Sequence, residues 1–281
     1  MLAVTGATGQ LGRLVIQSLK DKGVADQVVA LVRNTAKAAD LGVSVREANY
    51  DKPATLAPAL EGVEKLLLIS SSEVGKRVSQ HEAVIAAAKA AGVRQIIYTS
   101  ILRADTTEIP LADEHRPTEA AIKASGIPYV FLRNGWYTEN YTGALGGAIA
   151  SGALIGSSAD GKLSLATRAD YAEAAAAVLA SDGHEGKIYE LAGNEPVTAA
   201  DLASEVSRQT GKTLPYTYLP PADYAAVLTQ VGLPEGYAKM IAASDDAASR
   251  GALHDESGTL GKLIGRPTTP LSKAVEDALA A

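Results

Sequence analysis

The first dozen residues constrain the fold of this chain more than any other stretch. An apolar run at residues 1–4 is followed by the glycine-rich sequence GATGQLG at residues 6–12, and apolar residues then recur at helical spacing in Leu11, Leu14 and Val15. This order is typical of a buried strand that leads through a tight turn into a helix. The stretch therefore predicts the first strand, turn and helix of an α/β protein.

The glycine spacing in this turn indicates a phosphate-binding site. Gly6 lets the chain turn sharply out of the strand, Gly9 lets a phosphate approach the backbone, and Gly12 lets the helix pack against the sheet. Free N–H groups and the helix dipole favour an anion at the helix start. The spacing GxxGxxG departs from the common GxGxxG, so a turn that only connects a strand to a helix is the alternative. Its position directly after a strand favours a dinucleotide pyrophosphate.

Strand-like and helix-like stretches alternate through the first half of the chain. Apolar runs predict five further strands, at residues 28–33, 43–50, 65–71, 94–100 and 127–134. Helices are predicted between them, at residues 36–41, after Pro53, at residues 79–91 and at residues 119–125. This alternation predicts an α/β fold with a Rossmann-type, doubly wound parallel sheet.

The sequence changes in character after residue 134. Residues 135–161 are rich in Gly, Tyr and Ser, and the later segments are short and separated by prolines. We expect a smaller C-terminal α/β lobe over the carboxyl edge of the sheet, where folds of this type bind ligands. The expected division is a nucleotide-binding domain of residues 1–134 and about 168–193, and a substrate-binding lobe of residues 135–167 and 194–281.

Composition excludes several classes of function. The net charge is −6 and no long cluster of Lys or Arg is present, which argues against nucleic acid as a partner. The absence of cysteine excludes disulfides, thiolate nucleophiles and Cys-ligated metals. No apolar run approaches the roughly 20 residues that span a membrane, and no signal peptide precedes the first predicted strand. We therefore expect a cytoplasmic protein, either monomeric or oligomeric.

The end of the second predicted strand indicates which dinucleotide is bound. In NAD-binding proteins, an acidic residue about 20 positions after the glycine turn binds the ribose hydroxyls. Here Arg33 stands in that place and Asn34 follows. A guanidinium is suited to a 2′-phosphate through charge-assisted hydrogen bonds. Unless Arg33 is a solvent-exposed surface residue, the sequence predicts NADPH rather than NADH.

Aromatic and amide side chains follow the sixth predicted strand, in the sequence LRNGWYTENY at residues 132–141. Trp136, the single tryptophan, and Tyr137 offer rings that stack on a flat substrate, and the Asn134 amide offers hydrogen bonds to carbonyl oxygens. The alternative to substrate stacking is that these side chains form a cluster that packs the two lobes together.

The expected site lacks an obvious proton donor. Many short-chain reductases use a Tyr and a Lys four residues apart, and this pair is absent before the sixth predicted strand. His115 is the one group there that ordinarily titrates near neutrality, and we expect it to position the cofactor or a loop rather than to donate a proton. A quinone fits such a site, because it accepts hydride as a stabilised anion and takes its proton from water.

Segments spread between about residues 2 and 271 resemble one known family. They include VTGATGQLG, LVRN, GVEKLLLISSSEVG, AAGVRQIIYTS, LRNGWYTENY and ATRADYA. The chain resembles the NmrA-like, atypical short-chain dehydrogenases, and among them the NAD(P)H:quinone oxidoreductase type 2 proteins. The resemblance implies hydride transfer from NADPH to a quinone or another flat aromatic acceptor, without flavin or metal.

The residues and the resemblance together define the expected site. The catalytic candidates are Asn134, Trp136, Tyr137 and His115. The candidates for NADPH binding are Gly6, Thr8, Gly9, Gln10, Leu11, Gly12, Arg33, Ser71, Ser72, Glu73, Tyr137, Thr138, Glu139, Asn140, Tyr141, Thr142 and Arg168. Arg168 is alternatively a salt-bridge residue at a helix start. Two alternative functions stay open: a non-catalytic NADP(H) sensor, and a reductase of triphenylmethane dyes or enones.

Overall fold

The computed structural model describes residues 1–281, and a seven-stranded parallel sheet forms its centre. The strands are β1 (Leu2–Thr5), β2 (Val28–Val32), β3 (Ser44–Glu47), β4 (Lys65–Leu68), β5 (Gln95–Ile101), β6 (Tyr129–Asn134), β7 (Leu154–Gly156), β8 (Ile188–Leu191) and β9 (Tyr216–Tyr218). The helices are α1 (Gln10–Asp21), α2 (Leu56–Ala59), α3 (Arg77–Ala90), α4 (Ala112–Ser125), α5 (Glu139–Thr142), α6 (Leu145–Ser151), α7 (Arg168–Leu179), α8 (Ala199–Thr210), α9 (Pro221–Gln230), α10 (Glu235–Ser249), α11 (Thr259–Ile264) and α12 (Leu271–Ala280).

The order in which successive strands are added reverses in the middle of the sheet. The sheet runs β3-β2-β1-β4-β5-β6-β8, and every neighbouring pair is parallel. Because β1 lies between β2 and β4, the connections leave it in opposite directions and create a crevice at the carboxyl ends of β1 and β4. The doubly wound parallel sheet expected from the sequence is confirmed.

Alternate residues of the central strands face two separate apolar layers. In β4, Leu67 belongs to a cluster with Val15 of α1 and Val178 of α7, whereas Leu66 and Leu68 belong to a second cluster on the opposite face. The second cluster includes residues of α3 and α4. This period of two is the side-chain alternation of a strand that is buried on both faces.

The smaller lobe is built around a second, two-stranded parallel sheet. Strands β7 and β9 pair there, and α6, α8 and α9 pack against them. Strand β8 instead joins the edge of the large sheet beside β6, and α7 packs against α1. The chain therefore leaves the large sheet after β6 and returns to it at β8, and α11 also packs against α7 and β8.

Some boundaries differ from the sequence-based prediction. The predicted helix at residues 36–41 is a short 3₁₀ turn at Thr35–Ala38. The predicted helix at residues 119–125 is the second half of α4, which begins at Ala112 and contains Pro117. A proline in a helix interior removes one backbone hydrogen bond and ordinarily marks a helix boundary, so the sequence indicated only the part after it. None of the helices combines the length and the apolar character needed to cross a membrane.

Candidate active site

A cleft of about 760 Å³ lies over the carboxyl ends of the strands of the large sheet, between this sheet and the smaller lobe. The predicted residues that line it are Gly6, Thr8, Gly9, Gln10, Leu11, Gly12, Arg33, Ser71, Ser72, Glu73, His115, Asn134, Trp136, Tyr137, Asn140, Tyr141 and Arg168. The structure therefore brings together side chains from the ends of β1, β2, β4 and β6, which are far apart in the sequence.

The glycine turn at one end of the cleft has the shape of a phosphate cradle. Gly6 adopts a positive φ of 59°, and the Gly9 N–H donates to the Gly6 carbonyl oxygen at 2.9 Å. A Cβ on Gly12 would overlap that carbonyl oxygen and the Cα of Ala7. No side chain caps the N-terminus of α1, so its first N–H groups are available to an anion. These features fit the pyrophosphate of a dinucleotide.

A second, entirely polar cavity adjoins the turn at the end of β2. Its lining consists of Thr8, Gly9, Arg13, Arg33, Asn34, Thr35, Lys37 and Glu47. Arg33 is 68% exposed, and its Nη1 lies 3.0 Å from the Glu73 carboxylate. Arg13 and Lys37 add two further cations that the sequence analysis missed. Three basic side chains around one cavity are suited to a phosphate group in addition to the pyrophosphate.

The structure corrects the expectation that His115 titrates near neutrality. His115 is 5% exposed, and its Nδ1 shares a hydrogen bond of 2.7 Å with the hydroxyl of Tyr98. Burial, together with the nearby Arg77 guanidinium, lowers the pKa of His115 well below its usual value. His115 is therefore a neutral group in the cleft wall, which fits positioning better than proton donation.

A second buried histidine, which the sequence analysis missed, holds the loop after β4. The Ser71 N–H donates to Nε2 of His81 at 3.0 Å, and the Ser71 hydroxyl donates to Gln80 at 2.7 Å. Burial and, to a smaller extent, the nearby Arg77 guanidinium lower the pKa of His81 to about 3. His81 therefore stays neutral and keeps the acceptor that orders Ser71, the first of the predicted residues in this loop.

Asn134 presents a free hydrogen-bond acceptor at the end of β6. The residue is 5% exposed and lines the cleft, and its Oδ1 has no hydrogen-bond partner. A buried polar atom without a hydrogen-bond partner destabilises the fold unless a ligand supplies the missing hydrogen bond. The free Oδ1 suits an N–H or O–H donor, and the Nδ2 of the same amide is the group that would donate to the carbonyl oxygen expected from the sequence.

The aromatic residues after β6 lie both in a packing cluster and in the wall of the cleft. Trp136 packs against a cluster that includes Ile101 and Leu163, and it also lines the cleft. Tyr137 lies under the guanidinium of Arg168, with 4.7 Å between the Arg168 Cζ and the ring centroid. These rings connect the lobe to the sheet and form part of the cleft wall.

Arg168 takes part in an ion pair and also lines the cleft. It is the first residue of α7 and lies 3.7 Å from the Glu139 carboxylate, as a salt-bridge residue would. Its Nη2 also donates to the Asn140 side chain at 3.0 Å, and both residues line the cleft.

Three predicted residues do not reach the cleft lining. Thr138 and Thr142 are buried, and the Thr138 N–H donates to the Ala166 carbonyl oxygen at 2.9 Å. The Glu139 carboxylate accepts the backbone N–H of Arg168 at 2.9 Å. Helix α5 begins at Glu139, so neighbouring residues face different directions, which a continuous sequence motif does not reveal.

The lobe expected over the sheet provides one wall of the cleft, but the sequence did not identify the residues that line it. Helices α9 and α10 and the segment after them contribute Tyr224, Tyr237, Met240, Ile241, Asp245 and Leu253. In α10, Tyr237, Ile241 and Asp245 recur every four residues and therefore share one face of the helix. That periodicity was the available signal, but the sequence alone did not indicate which surface the helix faces.

Comparisons with known proteins agree with this geometry. The curated quinone oxidoreductase 2 of Escherichia coli (strain K12) is 56% identical over 278 residues, which cover 98% of this chain and 97% of that protein. A crystal structure of the NADPH-dependent quinone oxidoreductase of Escherichia coli, complexed with NADPH, matches with a TM-score of 0.97 and covers 99% of this chain and 100% of that one.

A second solved structure, the triphenylmethane reductase of Citrobacter sp. complexed with NADP(H), is 42% identical and matches with a TM-score of 0.93. It covers 99% of this chain and 100% of that one. The model of the NmrA-like family matches residues 1–259. The resemblance noted in the sequence is confirmed, and the chain belongs to the NmrA-like family.

Proposed function

We propose that this chain is a reductase that transfers hydride from NADPH to quinones. The observation that carries the proposal is the single cleft that joins the glycine turn and the Arg33 cavity to the aromatic wall after β6. The Escherichia coli relative, 56% identical over nearly the whole chain, is a quinone oxidoreductase whose structure contains NADPH. NADPH, when bound, supplies the hydride.

In this proposal, two parts of the nucleotide half of the cleft bind two different phosphate groups of the cofactor. The backbone from Gly6 to Gly12 holds the pyrophosphate, with Thr8, Gln10 and Leu11 at its sides. Arg33 binds the 2′-phosphate, and Arg13 and Lys37 add to the positive field around it. We assign these roles to the domain of residues 1–134 and 168–193, and acceptor binding to the remainder.

The other half of the cleft orients the reacting rings. Trp136 and Tyr137 provide flat apolar surfaces, and the free Oδ1 of Asn134 suits a donor group such as a carboxamide N–H. His115 is neutral and fixed by Tyr98, so it shapes the wall and does not supply the proton. Water is then the proton source, which a quinone tolerates because its reduced anion is stabilised. We retain Asn134, Trp136 and Tyr137 as the catalytic candidates, and we assign His115 a positioning role.

A nicotinamide absorbance assay tests this function against the alternatives. We expect NADPH to be oxidised when a simple benzoquinone is present and to be stable in its absence. Binding of NADPH without turnover of any acceptor would instead indicate a redox sensor. A higher rate on a triphenylmethane dye or an enone than on every quinone tested would assign the site to that substrate class. The cytoplasmic location and the oligomeric state stay predictions.

A further inference from the structure

Asp245 places a buried carboxylate in the lobe-side wall of the cleft. The residue lies on α10, is 6% exposed and lines the cleft. The hydroxyl of Tyr141 donates to its Oδ1 at 2.8 Å, and the backbone N–H of Ser157 donates to its Oδ2. Both donors are neutral groups, so they hold the carboxylate in place without cancelling its charge.

No cation balances this carboxylate. Asp245 takes part in none of the ion pairs of the structure; Arg250, which directly follows α10, pairs with Asp246 and Glu108. The titratable groups that face Asp245 are Asp246 on the same helix, Tyr141 after β6, Tyr216 of β9 and Tyr224 of α9. Burial raises the pKa of Asp245, and the hydrogen bonds from Ser157 and Tyr141 oppose this rise. Because no basic side chain lies beside it, an ionised Asp245 gives this part of the cleft an uncompensated negative charge.

Asp245 lies on the proposed acceptor side of the cleft rather than on the nucleotide side. Tyr141 follows β6, which lies on the far side of the sheet's switch point from the β2 end with Arg33. The other carboxylates of the cleft lining, Asp51 and Glu73, are more exposed than Asp245. Aromatic rings surround it, and a charge in such a low-dielectric setting acts more strongly than one in water.

We propose that Asp245 sets the charge selectivity of the acceptor site, so that it admits uncharged flat acceptors and disfavours anionic ones. The proposal rests on the proposed function, because it concerns the acceptor that receives the hydride. Repulsion between Asp245 and an anionic substituent raises the free energy of the complex and of the transition state, and therefore lowers kcat/KM for that acceptor.

A pair of quinones that differ in charge tests the proposal. The measured quantity is the ratio of kcat/KM for 1,4-naphthoquinone to kcat/KM for 1,4-naphthoquinone-2-sulfonate, with NADPH saturating. We expect this ratio to fall by about tenfold or more in Asp245→Asn, as expected for one unit charge at close range. Asp246→Asn is the matched control, since it removes the same charge one residue along α10. Comparing ratios between variants cancels the difference in intrinsic reactivity of the two quinones.

A second variant keeps the proposal testable if Asp245→Asn does not fold. Ile241 also lines the cleft and lies one helical turn before Asp245, so Ile241→Lys brings an ammonium group to the carboxylate and should lower the same ratio. A ratio equal to that of the parent in either folded variant, or an equal fall in Asp246→Asn, overturns the assignment of Asp245. Absence of turnover of both quinones by the parent protein would instead contradict the proposed function itself.

Discussion

Arg33 is the residue on which the choice of cofactor depends, and in the structure its partner is Glu73. A bound 2′-phosphate would compete with that carboxylate for the guanidinium. We expect Arg33→Gln to weaken NADPH binding by about tenfold to about a hundredfold, because a hydrogen bond to a charged group contributes about 1.5–3 kcal/mol. NADH has no 2′-phosphate, so its affinity should change little. Titration calorimetry with both nucleotides measures the difference.

The control for this experiment is Arg94→Gln, since Arg94 is exposed and lies outside both cavities. It should leave both affinities as in the parent. Equal losses for NADPH and NADH in Arg33→Gln would show that Arg33 has a general structural effect and would contradict the 2′-phosphate assignment.

Trp136 packs between the lobe and the sheet and, in the proposed function, also binds the acceptor. A substitution can separate these two roles. We expect Trp136→Ala to lower kcat/KM for benzoquinone by about tenfold or more, because it removes both buried area and a stacking surface. The Kd for NADPH should stay within about twofold, and Trp136→Phe should retain part of the activity because it keeps a ring. An equal loss of quinone turnover and NADPH affinity would make Trp136 a structural residue.

Among single residues, the sequence revealed those whose role follows from residue type and position along a strand. Arg33 and Asn134 are the last residues of predicted strands, and both lie in the cleft. The expectation that His115 titrates near neutrality was wrong, because its pKa depends on burial and on Arg77, and both arise from long-range packing. Asp245 was missed for the same reason, because only the folded chain brings it to Tyr141.

At the level of elements, the contact between the glycine turn and α1 is the tightest constraint near the site. A Cβ on Gly12 meets the backbone of Gly6 and Ala7, so Gly12→Ala must displace the start of α1. We expect the free energy of unfolding to fall by about 1–3 kcal/mol and NADPH binding to weaken, because the N–H groups leave their positions. Urea unfolding and calorimetry measure the two effects.

Gly146→Ala in α6 is the matched control for this prediction. An added Cβ there meets nothing within 4 Å, and alanine favours a helix by up to about 1 kcal/mol over glycine. The control should therefore be neutral or more stable than the parent. Destabilisation of both variants to the same extent would show that close contact at Gly12 is not the cause.

Elements with a clear period and clear boundaries were predictable. β2 and β5 are continuous buried runs between turns, and both were identified at nearly their observed bounds. α4 was shortened because Pro117 masks its first half. The arrangement of α9 and α10 was not predictable, since their apolar faces pack against each other and the cleft rather than against the large sheet.

For the whole molecule, the two buried histidines predict how stability depends on pH. In the unfolded chain a histidine binds a proton below its ordinary pKa of about 6.5, whereas in the folded protein the pKa of His81 is about 3 and that of His115 is also lowered. The unfolded state therefore binds more protons below pH 6.5. Stability is fully present above that pH and decreases as the pH falls.

Urea unfolding between pH 6.5 and 5 measures this effect, because most carboxyl groups titrate at lower pH. We expect the free energy of unfolding to decrease by up to about 1.4 kcal/mol per pH unit for each histidine once the pH is well below 6.5. His81→Gln should show a smaller dependence than the parent. A free energy that does not change over this range would contradict the neutral state of both histidines.

The lobe-side wall of the cleft comes largely from one contiguous helical hairpin, α9 and α10, whereas the side with the glycine turn is assembled from loops that follow several separate strands. Under the proposed function, we expect substitutions confined to this hairpin to alter which molecule is reduced and to leave the source of reducing equivalents untouched. In directed evolution, a library restricted to that contiguous segment would explore new oxidants while coenzyme preference is inherited unchanged.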